Sequence, residues 1–218
     1  MDEVSFIQDA IAAAFGEVGG YKIGAGDADA TPSFAPMPRA WIAASGALLN
    51  GPTARYRYVE AEIAFLIGKD LPPRPTPYSR AEVASAIASC HPAIEELESG
   101  FVDPKAVANL SSLADLQMHG GFIYGPAIPH WQSIDFAKES VTLAIDGVVL
   151  MERTGSNTAG DLTRLLPWLA NQGGARTGGL KAGQWITTGS WVGNLPAPAH
   201  STVDVRFAHA GPVTLRFA

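Results

Sequence analysis

Residues 59–67 read VEAEIAFLI. Side chains alternate between faces along a strand, with a rise of about 3.3 Å per residue. Val59, Ala61 and Ile63 therefore share one face, and Glu60 and Glu62 share the other, roughly 7 Å apart at Cα. The run then becomes continuously apolar, which predicts a buried strand. Two acids on one face of a buried strand are costly unless something neutralises them. A shared proton is one solution, and a hard divalent cation such as Mg²⁺ or Mn²⁺, which prefers oxygen ligands, is another. A solvated sheet face is the plainer alternative. A third carboxylate would favour the cation. Glu95 and Glu96 lie in the short apolar segment PAIEEL at residues 92–97, with Glu98 just after. Spacing alone does not choose among them.

Outward from this strand, the C-terminal half reads as mostly β. VTLAI and VVLME flank Asp146-Gly147, a strong hairpin signal. Val203, Val205 and Phe207 alternate, residues 209–212 turn, and Val213, Leu215 and Phe217 alternate again. Residues 184–189 and 93–97 are further expected strands. Ser79-Arg80-Ala81-Glu82 matches a capping box and predicts a helix running to about Cys90. Residues 161–172 predict a helix that Pro167 kinks or splits. Residues 2–15 predict an N-terminal helix with Val4, Ile7, Ile11 and Phe15 on its apolar side. Residues 25–38, rich in Ala, Asp, Gly and Pro, read as a loop of the length that often serves as a lid. The expected architecture is α+β and β-rich, with peripheral helices. No linker or repeat divides the 218 residues, so one catalytic domain is expected over 1–218, with a short helical region at 1–19 before the core at 20–218.

Hydrophobic residues make up 47% of the chain and the net charge is −6. No basic run is present, which argues against nucleic acid as a partner. The single cysteine, Cys90, excludes an intramolecular disulfide. Met1-Asp2-Glu3 lacks the basic start of a secretory signal, and no apolar run approaches the ~20 residues of a membrane span. A cytoplasmic protein without membrane association is expected. Ser45 and Ser111 lack a nucleophile elbow, and the Gly-Gly pairs at 173–174 and 178–179 lack a following Walker lysine.

VEAEIAFLIGKDLP, HPAIEELES, GGFIYGPA and LKAGQWITTGS follow one another in this order. They resemble the fumarylacetoacetate hydrolase superfamily over residues 20–218. The closest branch is that of the 2-oxopent-4-enoate hydratases and 4-oxalocrotonate decarboxylases. The resemblance implies a mixed β-sandwich roll with a metal site at its mouth. It places the metal carboxylates at Glu60, Glu62 and Glu95, the active-site lysine at Lys22 in GYKIG, and a substrate contact in TGS at 188–190, with Ser190 as its hydroxyl. Asp115 and His119, within the altered stretch 115–119, are the remaining candidate catalytic residues. The implied chemistry is that of a lyase, with Mg²⁺ or Mn²⁺ as Lewis acid for the enolate of a small 2-oxo acid; a homo-oligomer is also implied. A hydratase, a decarboxylase and a carbon–carbon hydrolase share this scheme, as would a non-catalytic acid-binding homologue. The hydrolases commonly use a lid His-Glu pair, and residues 20–45 contain no histidine. The chain also departs from the branch: Gly100 stands where an arginine is usual, and Leu116–Met118–His119 replace an asparagine and serines.

Overall fold

The computed structural model describes residues 3–50 and 54–218. In chain order the strands are β1 (Val18–Gly24), β2 (Ser33–Pro38), β3 (Ile42–Ala44), β4 (Ala47–Leu49), β5 (Tyr58–Ile67), β6 (Ile87–Leu97), β7 (His119–Tyr124), β8 (Ser140–Ile145), β9 (Val148–Thr154), β10 (Trp185–Thr187), β11 (Leu195–Pro196), β12 (Thr202–Phe207) and β13 (Gly211–Phe217). The α-helices are α1 (Glu3–Ala14), α2 (Arg80–Ala86), α3 (Asn109–Ala114), α4 (Leu165–Trp168) and α5 (Gly174–Thr177). Eight strands form a mixed sheet in the order β2-β1-β10-β5-β6-β7-β3, with β11 also paired to β5. Five form a second sheet, β4-β13-β12-β8-β9.

The inner faces of the two sheets make the main core. Val59, Ala61, Ile63 and Phe65 of β5 join Val203, Val205 and Phe207 of β12 and Val213, Leu215 and Phe217 of β13 in one buried cluster. The alternation of residues 59–65 thereby sends Glu60 and Glu62 to the outer face of the larger sheet. That face has its own small cluster of Met37, Ala64, Ala93, Phe122 and Trp185. The carboxylates thus project from the middle of a central strand, beside apolar neighbours.

The expected hairpins form. Asp146 and Gly147 both have positive φ (50° and 78°), as a tight two-residue turn between β8 and β9 requires. The Ser79–Glu82 capping box is complete. Pro167 divides its helical run: a 3₁₀ turn, α4, a π segment at Leu169–Gly173 and α5 follow in succession.

Three expectations are corrected. Residues 33–38, read as part of a loop, form β2; this is an edge strand, where proline is tolerated because outward N–H groups need no ladder partner. α2 ends at Ala86 rather than Cys90, and residues 87–97 form one long strand because β5 and β7 pair with it from both sides. In α1 the buried positions are Gln8 and Ala12, so the face predicted from Ile7 and Phe15 turns outward. Position 2 of that expected helix lies outside the described residues. Among the described residues no helix is long and apolar enough to cross a membrane.

Gly20 fixes the approach of β1 to β10. It stands opposite Trp185 in the parallel ladder, and a Cβ at Gly20 would overlap the Trp185 carbonyl. Gly20→Ala is expected to destabilise the protein by at least about 2 kcal/mol, which lowers Tm by roughly 4–8 °C in a thermal melt.

Candidate metal centre

β5 and β6 run antiparallel with Glu60 directly opposite Glu95. Like charges facing one another across a ladder destabilise a sheet. Glu62 lies two residues along the same face. Glu62 and Glu95 are fully buried and Glu60 is partly so. Each of the three offers a carboxylate oxygen, and these oxygens lie within 4.8 Å of one another. Strand alternation also decides which of the acids after Pro92 belongs here. Glu95 pairs with Glu60, whereas Glu96 pairs with Val59 on the opposite face. Glu98 is engaged elsewhere, accepting from the Tyr56 N–H at 2.9 Å and the Ser99 N–H at 3.0 Å.

The first neutralising charge comes from β1. Lys22 Nζ lies 2.6 Å from Glu95 Oε1 and donates to the Gln117 carbonyl at 3.0 Å. His119, at the start of β7, places Nδ1 2.8 Å from the same oxygen of Glu95. Its partner being a carboxylate, Nδ1 carries the proton. Burial holds the imidazole pKa below its usual value, so His119 stays neutral near pH 7. Its Nε2 is buried without a partner, and its ring centroid lies 5.9 Å from that of Trp41.

Glu62 is held from the far side. Thr187 Oγ1 at the end of β10 donates to Glu62 Oε2, and the Gly189 N–H donates to the same oxygen at 3.0 Å. The segment that supplies the Gln117 carbonyl is unusual. Leu116, Gln117 and Met118 are three consecutive non-glycine residues with positive φ, at 50°, 54° and 62°. Such conformations cost of order 1 kcal/mol or more each and concentrate at functional sites.

The electrostatics separate the three acids. Burial favours the protonated form of Glu95, but Lys22 and His119 outweigh it and hold the carboxyl at about 2. Burial pushes Glu60 up to about 7, with Lys22 opposing and Glu95 reinforcing. Burial, then the charges of Glu95 and Glu60, raise Glu62 well above the ordinary carboxylate range. Burial would lower Lys22, yet Glu95 and Glu60 raise it, so it is an ammonium. One lysine thus matches one carboxylate, and two acids remain whose ionisation requires two further positive charges. Glu95 Oε2 is buried with no hydrogen-bond partner. Three clustered oxygen donors, one orphaned, with two unmatched charges, fit a hard divalent cation.

Not every expected residue is brought here. Asp115 Oδ2 accepts from Ser99 Oγ at 2.7 Å and from the Gly100 N–H at 2.9 Å, tying the turn after β6 to the end of α3. Ser190 Oγ donates to the Gly193 carbonyl at 2.7 Å. Thr187 and the Gln117 carbonyl contact the cluster without having been expected to, and the Gly189 N–H contacts it from within the expected TGS stretch. Thr187 immediately precedes that stretch; the carbonyl leaves no trace in side-chain identity.

The chain is similar to a 2-hydroxyhexa-2,4-dienoate hydratase from Comamonas testosteroni, 29% identical over 158 residues, covering 72% of this chain and 59% of the relative. The chain therefore spans 59% of the length of that hydratase. A solved 4-oxalocrotonate decarboxylase from Pseudomonas putida G7, complexed with magnesium and adipate, superposes with a TM-score of 0.83 at 21% identity, covering 99% of this chain and 85% of its own. A fumarylacetoacetate hydrolase family protein from Yersinia pestis CO92 gives a TM-score of 0.64 at 18% identity, over 91% of each chain. The fold is that of the fumarylacetoacetate hydrolase family. No family model matches the chain. The mixed sandwich implied by the sequence resemblance is the one observed.

The raised carboxyls set a pH dependence with a definite sign. A carboxyl raised from 4.5 to about 7 keeps its proton in the folded protein after the unfolded chain has lost it. Its stabilising contribution is full below about pH 4.5 and is lost as pH rises through 7. A divalent cation competes with those protons. The rise in Tm on adding Mg²⁺ is expected to be small at pH 5.5 and to grow through pH 7 to a plateau above it, as read by differential scanning fluorimetry.

Proposed function

We propose that the protein is a divalent-metal-dependent lyase acting on a small 2-oxo acid through its enolate, with hydratase as the favoured reaction. The observation that carries this reading is the cluster of Glu60, Glu62 and Glu95 with Lys22 at 2.6 Å from Glu95. The similarity to a dienoate hydratase supports the choice of substrate class. A cation held by the three glutamates would supply a Lewis acid for the 2-oxo group and the charge of the enolate.

The remaining roles belong to the chain itself. Lys22 is a fixed ammonium beside the carboxylates, suited to hold the carboxylate of the substrate or to move a proton at its Nζ. His119, kept neutral, orients Glu95 through Nδ1. Thr187 and the Gly189 N–H do the same for Glu62. The apolar wall of Met37, Phe122 and Trp185 limits water and strengthens each polar contact. The net hydratase reaction adds H and OH across one carbon–carbon double bond. The decarboxylase alternative releases carbon dioxide and protonates the same enolate.

A panel of 2-hydroxydienoates and 2-oxo acids, followed by ultraviolet loss of the dienol with and without Mg²⁺, tests the reading. Mg²⁺-dependent consumption is expected for the wild type, with mass spectrometry recording a gain of one water for a hydratase or loss of carbon dioxide for a decarboxylase. Glu62→Gln is expected to lower turnover at least 10³-fold, in the range that loss of a central electrostatic group costs. Undiminished, metal-independent activity in this variant would refute the scheme.

A further inference from the structure

The peptide group between Thr188 and Gly189 stands between Glu62 and a buried asparagine. In a trans peptide the C=O and the N–H point in opposite directions across one plane. Here the N–H end donates to Glu62 Oε2 at 3.0 Å. The C=O end accepts from Asn157 Nδ2, also at 3.0 Å. The same nitrogen donates to the next carbonyl, that of Gly189, at 3.0 Å. Two successive carbonyls meet one nitrogen because Gly189, with φ of 87°, turns the chain between them. Asn157 is itself fixed. It is 6% exposed, and its Oδ1 accepts from the Ala159 N–H at 2.9 Å, which assigns the orientation of the amide. The neighbouring Thr158 donates through Oγ1 to the Ala25 carbonyl at 2.7 Å, three residues after Lys22. Residues 157 and 158 thus hold both the segment that follows Lys22 and the segment that grips Glu62.

We propose that Asn157 is a positioning residue of the metal centre, acting on Glu62 through the Thr188–Gly189 peptide. The inference rests on the metal reading above and adds to it a residue outside the carboxylate cluster. The Gly189 N–H serves Glu62 only while its peptide plane faces the carboxylate, and glycine is the residue least able to fix its own backbone. Thr188 supplies one restraint, since its Oγ1 donates to the Ile63 carbonyl at 2.6 Å. Asn157 supplies the other, at the carbonyl of the very peptide concerned. Donation to that carbonyl also polarises the peptide and strengthens its N–H as a donor to Glu62. An amide fits the task because its nitrogen carries two N–H donors, one for each carbonyl; a serine hydroxyl offers one and an ionised aspartate none. Outer partners that orient a metal-binding carboxylate typically contribute about 10–100-fold to metal affinity.

Isothermal titration calorimetry of the full chain with Mn²⁺ tests the role, with Ser156→Ala as the control. Ser156 Oγ ties down the same stretch at the Trp191 carbonyl without touching the Thr188–Gly189 peptide. Asn157→Ala is expected to weaken Mn²⁺ binding at least ten-fold, and Ser156→Ala less than two-fold. Asn157→Asp keeps an acceptor for the Ala159 N–H but turns an oxygen without a proton toward the two carbonyls. It is expected to weaken Mn²⁺ at least as much as Asn157→Ala, so one misfolded variant does not decide the matter. The wild type gives a further reading that needs no variant. With ¹⁵N-labelled asparagine, the side-chain amide signal of Asn157 is expected to move on saturation with Mg²⁺, while that of Asn171, which donates to the Tyr78 carbonyl, stays in place. Unchanged affinity in a folded Asn157 variant, an equal loss in Ser156→Ala, or an unmoved Asn157 signal would overturn the proposal and leave the metal centre standing. If the wild type binds neither Mn²⁺ nor Mg²⁺, the metal reading fails and the role of Asn157 fails with it.

Discussion

Three carboxylates share the outer face of two paired strands, and only one lysine answers them. Glu60 and Glu95 face one another across the ladder, and Glu62 stands one pleat away, in a place with little water. Lys22 and His119 satisfy Glu95. Glu60 and Glu62 are left to hold protons near neutrality or to gain a cation. A site built in this way is costly to the fold unless protons or an added positive charge offset it.

The surrounding architecture maintains that imbalance. The sandwich core grips the Val59–Ala61–Ile63 face of β5, so the strand cannot rotate its acids away. β10 and the turn after it fix Glu62, while the left-handed run Leu116–Gln117–Met118 carries a carbonyl to Lys22.

Much of this was legible in sequence because period-two patterning is a physical signal. VEAEIAF announced both the buried face and the acid pair. The choice of Glu95 came from resemblance, and alternation in β6 gives it a geometric reason that spacing alone lacked. Pro36 and Pro38 argue against a strand at β2, and only its position at the sheet edge permits them. The end of α2 is not legible locally, because pairing with β5 overrides helical preference at residues 87–90. Asp115, a candidate from its motif, binds the turn at Gly100; Gln117, two residues on, contributes through a main-chain oxygen.

The central claim is that the unmatched charge of Glu60 and Glu62 is answered by a divalent cation. Crystals grown with Mn²⁺ and measured at the manganese absorption edge test it most directly. One strong anomalous peak is expected, bonded to oxygens of Glu60, Glu62 and Glu95 at about the 2.0–2.2 Å of a small hard cation. No peak there at saturating Mn²⁺, or a peak bonded to other residues while the three glutamates remain paired only with protons and Lys22, would contradict it.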